Sequence, residues 1–302
     1  MRLFLIVSAV VLVAACALFP ADYTGERAPR EAAIVPLRSE RPLVALALGS
    51  GGARGFAHVG VIKALEEAGI VPDIVTGTSS GAVVAALYAG GYSGRALEGV
   101  ALALGRDDLV DFVLFGKGWV KGEALQDFVN RMLDDKPIER LAKPFAVVAT
   151  QAGSRRMTVF NRGDTGLAVR ASASVPDLFV PPVINGEEYL DGGLVSPVPV
   201  KLAREMGADV VIAVDVSWFA QARNAENGPT ARDGRGGRYA LLAEELDTAD
   251  VVITPRTVRT RMLDFERKTA NIAAGEEAAR EAVLQIRGRL QQAALRKQGR
   301  MR

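Results

Sequence analysis

The chain is 302 residues long and has one cysteine, Cys16, and one histidine, His58. A lone cysteine excludes an internal disulfide framework and any cysteine-based zinc site. A lone histidine excludes a multi-histidine metal centre. With no cluster of metal ligands in view, no metal or other cofactor is expected. A Ser-His-Asp triad, if there is one, must use His58. An excess of one charge is also missing. Lys and Arg total 37 against 35 Asp and Glu. That balance lacks the basic bias of a phosphate-backbone binder, so nucleic acid is not an expected partner. Hydrophobic residues make up 49% of the chain. This is ample for a core and excludes a disordered or low-complexity chain. The length allows one large domain or two small ones.

One long apolar run stands at the start, from Leu3 to Ala15 after Met1-Arg2. It is too short for a bilayer span, which takes about 20 residues. It suits the h-region of a secretory signal peptide. The run closes on Val13-Ala14-Ala15-Cys16, which looks like a bacterial lipobox. That resemblance implies residues 1–15 as a lipoprotein signal and a diacylglycerol on Cys16 as the new N-terminus. An ordinary signal followed by an incidental cysteine is the alternative. A lipidated Cys16 would tie the chain to the membranes of a bacterial cell envelope. Ala17, not Asp, after the cysteine points to the periplasmic face of an outer membrane where the cell has one. Residues 16–41 contain Pro20, Pro29 and Pro36, mixed charge and no apolar period. They read as a flexible tether.

From Pro42 onward, apolar strands alternate with helical patterns. Leu43 to Leu48 suits a strand buried on both faces. Ala57, Val61, Ala64, Leu65 and Ala68 mark one helix face, stopped by Gly69. Further strands are expected at 74–76, 145–150, 157–160, 209–214 and 250–254. Further helices are expected at 82–89, 123–133, 165–173, 199–206 and 270–289. The alternation predicts an α/β domain, a three-layer α/β/α sandwich with a mainly parallel central sheet, over residues 42–290. Ala220 to Arg238 reads as a surface loop, and 291–302 as a basic, frayed C-terminal tail.

Three motifs carry chemistry. Gly49-Ser50-Gly51-Gly52-Ala53-Arg54-Gly55 lies between a strand and a helix. Backbone N–H groups left free there can hold a phosphate or an oxyanion. A dinucleotide loop would want an acid after the second strand, but Asp73 precedes that strand. Gly77-Thr78-Ser79-Ser80-Gly81 fits the G-x-S-x-G nucleophile elbow, whose small residues allow a sharp turn that exposes the serine. Ser80 is a rival nucleophile without glycines at ±2. Asp191-Gly192-Gly193 can bring a carboxylate close to other backbone; alone it is usually a turn. Asp111 to Phe115 and Trp119 form an aromatic-rich stretch. It could receive acyl chains, but packing inside the core is the favoured reading.

Taken together, these motifs resemble the patatin-like phospholipase family. Leu48 to Gly55 and Gly60-Val61-Ile62-Lys63-Ala64-Leu65 match its first block. Ala171-Ser172, Pro176, Pro181-Pro182, Asp191-Gly192-Gly193 and Pro197-Val198-Pro199 match its last. Ser50 departs from the family's first glycine. The resemblance implies a serine lipid acyl hydrolase with a Ser-Asp dyad: Ser79 as nucleophile, Asp191 as general base, and an oxyanion hole of Gly51 and Gly52 with Arg54 close behind. His58 is then expected in a packing or hydrogen-bonding role. The substrate would be a phospholipid or another acyl ester. The same motifs are compatible with an acyltransferase, a short-chain carboxylesterase or a catalytically silent lipoprotein.

Overall fold

In a computed structural model of the chain, the structure describes residues 21–113, 118–217, 236–258 and 260–300. The signal segment and Cys16 lie outside the described residues, as does most of the expected loop at 220–238. Strand β1 (Asp22–Tyr23) is followed by β2 (Val44–Leu48), helix α1 (Phe56–Glu67), β3 (Ile74–Thr78), α2 (Ser80–Ala89), α3 (Gly94–Ala103) and α4 (Glu123–Met132). Next come β4 (Phe145–Gln151), β5 (Met157–Phe160), α5 (Thr165–Ser172), β6 (Val183–Ile184), β7 (Glu187–Asp191) and α6 (Val200–Glu205). The order ends with β8 (Val210–Val214), α7 (Gly236–Asp247), β9 (Val251–Ile253) and α8 (Lys268–Arg300).

The sheet runs β1-β6-β7-β4-β3-β2-β8-β9, with β5 also on β4. Its centre is parallel: β4, β3, β2, β8 and β9 pair in one direction. Strands β5 and β7 run antiparallel to β4. The five residues of β2 are all buried, because alternate side chains feed two cores. Leu46 and Leu48 join the larger core with α1, α2 and α8. Ala45 and Ala47 join a second core with Leu202 of α6 and Leu242 and Leu246 of α7. Helices therefore cover both faces of a mixed sheet, the layered α/β arrangement expected from the alternating pattern.

The register of this sheet builds the site. Thr78, the last residue of β3, lies opposite Val148 of β4. Asp191, the last residue of β7, lies opposite Ala149, the next residue along β4. Two strands remote in sequence thus end at neighbouring positions.

Two segments depart from the sequence reading. Residues 21–41 are fixed to the body and are not a free tether. Strand β1 pairs with β6, Ala32 and Asn161 exchange backbone and side-chain hydrogen bonds, and Leu37 N–H donates to Met206. Pattern reading misses this because the contacts are backbone bonds without apolar periodicity. The basic end is also no frayed tail. Helix α8 runs to Arg300, and Lys297 Nζ bonds the carbonyls of Ser39 and Arg41 and the Asp209 carboxylate.

Helices α1 and α8 cross at two glycines. A Cβ on Gly60 would lie 1.9 Å from the Ile272 carbonyl oxygen, and one on Gly275 2.0 Å from that of Ala57. Both neighbours are backbone and cannot swing aside. Gly60→Val should therefore cost about 1–3 kcal/mol from overpacking. Gly288→Ala, on the open face of α8 where a Cβ meets nothing within 4 Å, should instead add about 0.5–1 kcal/mol. Urea unfolding of the two variants checks the contrast.

Candidate active site

Ser79 sits between β3 and α2 with φ 57° and ψ −125°. This is a left-handed backbone that a side-chain-bearing residue adopts only when its surroundings hold it there. The holding groups are visible. Gly77 lies so close to α2 that a Cβ would be 2.6 Å from Ala82 Cα, and a Cβ on Gly81 would be 2.2 Å from the Leu48 carbonyl oxygen. The Ser79 N–H donates to Ser172 Oγ at 2.9 Å. Ser172, at the end of α5, is fully buried. These contacts turn the Ser79 hydroxyl toward β7.

There it donates to Asp191 Oδ2 at 2.6 Å. Asp191 is itself fixed on three sides. Its N–H donates to the Ser174 carbonyl at 2.8 Å. Its carbonyl accepts from Thr150 Oγ1 at 2.8 Å. Its Oδ1 accepts from the Gly193 N–H at 2.7 Å. Ser79 and Asp191 are both buried, so little water competes for the bond between them. The two residues singled out from separate motifs meet directly. Ser80 does not share the acid; its hydroxyl is buried with no hydrogen-bond partner among the described residues.

The glycine loop stands beside them. Gly49 N–H donates to Val214, Ser50 N–H to Pro197, Ala53 N–H to Met262 and Arg54 N–H to Gly51. Among the described residues no acceptor takes the N–H groups of Gly51 and Gly52, which lie between those tied positions. Gly52 has φ 58°, and a Cβ on Gly51 would crowd the Val216 carbonyl oxygen at 3.0 Å. Ser50, the departure from glycine, leaves both in place. Arg54 is used internally at both ends, because its Nε also donates to the Val216 carbonyl at 2.8 Å. Burial lowers the affinity of its guanidinium for the proton, and Asp215 opposes that effect.

With this loop, elbow and acid in place, a family model settles their kinship: the patatin-like phospholipase model matches residues 46–204. The chain belongs to the patatin-like phospholipase family. An NTE family protein of Mycobacterium tuberculosis is 36% identical over 207 residues, which is 67% of this chain and 58% of the relative. Human patatin-like phospholipase domain-containing protein 6 is 38% identical over 221 residues, 70% of this chain but 16% of the relative. The chain thus spans little more than half the length of the first and a small part of the second. Among solved structures, VipD from Legionella pneumophila superposes with a TM-score of 0.55 at 15% identity, over 80% of this chain and 67% of that one. That likeness concerns the fold.

In this patatin-like chain the serine opens on an apolar cavity of about 130 Å³. Side chains such as Val83, Leu87, Leu97, Leu125, Phe128 and Phe265 line it, and its side-chain hydroxyls come from Ser79 and Ser80 alone. Among the described residues, no group of three or more His, Cys, Asp or Glu could hold a metal ion. His58 serves the loop. Its Nε2–H donates to the Gly49 carbonyl at 2.8 Å, so it braces the start of the loop. The carbonyl can only accept, which fixes the proton on Nε2.

Burial pushes the His58 pKa down from 6.5 to about 4. The unfolded chain therefore takes up this proton before the folded one does. Stability falls as pH drops from about 6.5 toward 4 and levels off below that. By pH 5 the loss should be about 2 kcal/mol relative to pH 7. Urea unfolding of the wild type and His58→Gln at both pH values checks this. The variant should lack that part of the acid sensitivity.

Proposed function

We propose that this chain is a serine hydrolase of lipid acyl esters working through a Ser79-Asp191 dyad. The observation that carries this reading is the 2.6 Å bond from Ser79 Oγ to Asp191 Oδ2 at a strained elbow. In the first half-reaction Ser79 Oγ attacks the ester carbonyl while its proton passes to Asp191. The carbonyl oxygen becomes an oxyanion, whose charge the N–H groups of Gly51 and Gly52 would take up. Arg54 braces the loop and adds positive charge behind it. Collapse of the tetrahedral species breaks the bond to the alcohol, which leaves with the proton from Asp191. Water then attacks the acyl-Ser79 ester and gives a proton to Asp191. Release of the fatty acid returns a proton to Ser79 Oγ. The apolar cavity suits the acyl chain, since it removes methylene groups from water at about 0.8 kcal/mol each.

The chemistry is read by incubating the full chain with mixed phospholipids and measuring free fatty acid and lysolipid. Ser79→Ala and Asp191→Asn should each reduce the rate by about a thousandfold or more. A fluorophosphonate should label the wild type at Ser79. Turnover near the wild-type level in either variant would reject the dyad.

We further propose that Cys16 carries a diacylglycerol and places the enzyme on the bacterial cell envelope, on the periplasmic face of an outer membrane where there is one. The text Val13-Ala14-Ala15-Cys16 supports this. A Cys16→Ser chain expressed in a bacterium should lose incorporation of labelled fatty acid, while the wild type is labelled.

A further inference from the structure

The aromatic stretch expected to pack inside does so only in part. Val110 and Val120 are buried with Phe179. Phe112 and Trp119 are 60% and 67% exposed; Leu114 and Phe115 lie outside the described residues. Phe112 is bridged to Val120, and Val120 to Phe179. The N–H groups of Trp119 and Val120 both donate to the Leu178 carbonyl. The aromatics are thus held out on a fixed backbone whose inner side forms cavity wall: Leu109, Val110, Val175 and Phe179 line the apolar cavity beside Ser79. Met262, another lining residue, is 44% exposed. Large apolar side chains exposed next to the entrance of an apolar cavity call for an apolar occupant.

The N-terminal segment leads to the same surface. Arg170 joins the two: one guanidinium nitrogen donates to Tyr23 Oη at 2.9 Å, the other to the Lys121 carbonyl at 2.9 Å. Tyr23 ends β1, and Lys121 is two residues from Trp119. Residues 17–21 separate Cys16 from β1, a reach of at most about 20 Å. Whatever holds the apolar leader or a lipidated Cys16 therefore lies within about that reach of β1.

We propose that Phe112 and Trp119, with the exposed cavity-lining residue Met262, form the surface by which this protein docks on a lipid bilayer. The entrance of the acyl cavity then faces the headgroup layer. Tryptophan suits that layer because its ring is apolar and its N–H stays wet. Arg106, whose guanidinium lies 5.0 Å from the Phe112 ring centroid, can stay among the headgroups. The proposal rests on the lipid-hydrolase reading of the site for its purpose, but its test does not.

Trp218→Phe leaves Trp119 as the single tryptophan of the full chain. That protein is mixed with unilamellar vesicles of phosphatidylcholine and phosphatidylglycerol whose acyl chains carry bromine. Trp119 emission should move to shorter wavelength and be quenched. In parallel, Phe112→Ser/Trp119→Ser should slow hydrolysis of vesicle phospholipid by about tenfold or more through lost apolar burial, and leave hydrolysis of soluble p-nitrophenyl butyrate at the wild-type level. Trp119 emission unmoved by vesicles overturns the proposal, as does a double variant as fast as wild type on vesicles. The quenching measurement uses the native surface, so it decides even if the double variant loses both activities. Quenching without turnover of any ester would sink the hydrolase reading and leave the docking surface standing.

Discussion

Everything in the site depends on one backbone conformation, the left-handed turn at Ser79. A serine with φ 57° gains nothing locally from that geometry. It is kept there because β3 ends in a sheet buried on both faces, and α2 begins one residue later against the same sheet. Gly77 lets β3 close on α2, and Gly81 lets α2 close on the end of β2, to distances no side chain would permit. The hydroxyl is then presented at the end of a central strand, where β7 delivers Asp191 through its pairing with β4. A larger residue at either glycine would move the serine as well as crowd the turn.

The Ser79-Asp191 unit is hydrogen-bonded on several sides, which keeps its burial tolerable, while the neighbouring Ser80 hydroxyl and His58 Nδ1 are buried with no partner among the described residues. Ser172, Thr150, Ser174 and Gly193 each take one bond of the Ser79-Asp191 unit. His58 belongs to this supporting set. Held neutral by burial and tied to the Gly49 carbonyl, it fixes the loop, while the Ser79 hydroxyl bonds Asp191 instead. That explains how a chain with one histidine can carry a serine elbow. The N–H groups of Gly51 and Gly52 stand apart from this pattern, with no acceptor among the described residues and the dyad beside them.

Much of this was legible in the sequence, and the parts that were not share physical causes. Strand Met157–Phe160 and the buried run at Val44–Leu48 follow from apolar composition between breakers. The two glycine-flanked motifs were readable because close backbone approach leaves a residue signature. Helix α3 was missed: it buries only Gly94, Leu97 and Ala101, too thin a stripe for periodicity. Its Ser93 cap, which accepts from the Ala96 N–H, was the available signal. Ser172 was visible only as part of a resemblance, since a hydroxyl that accepts from a distant backbone N–H has no local pattern. Residues 21–41 were misread for the same reason. Phe112 and Trp119 were misplaced because composition reports that a segment is apolar, not which of its side chains face inward.

Charge balance constrains how such a site meets its substrate. With 37 basic and 35 acidic residues, the chain has little net field to draw it to an anionic surface. Attraction must then come from apolar contact or from a covalent lipid. A single acyl chain gives only marginal, reversible membrane binding, whereas the two chains of the diacylglycerol proposed on Cys16 would suffice for stable attachment. With that anchor, the pinned N-terminal segment would restrict how the body sits, and apolar contact would decide which face it turns. Strand β1 is tied to the segment that bears Trp119 through the Tyr23-Arg170-Lys121 link. A free tether would let the body tumble and present any face. A short connection to a pinned strand would instead limit the orientations available, and the proposed docking surface would select those that turn the cavity beside Ser79 toward the bilayer.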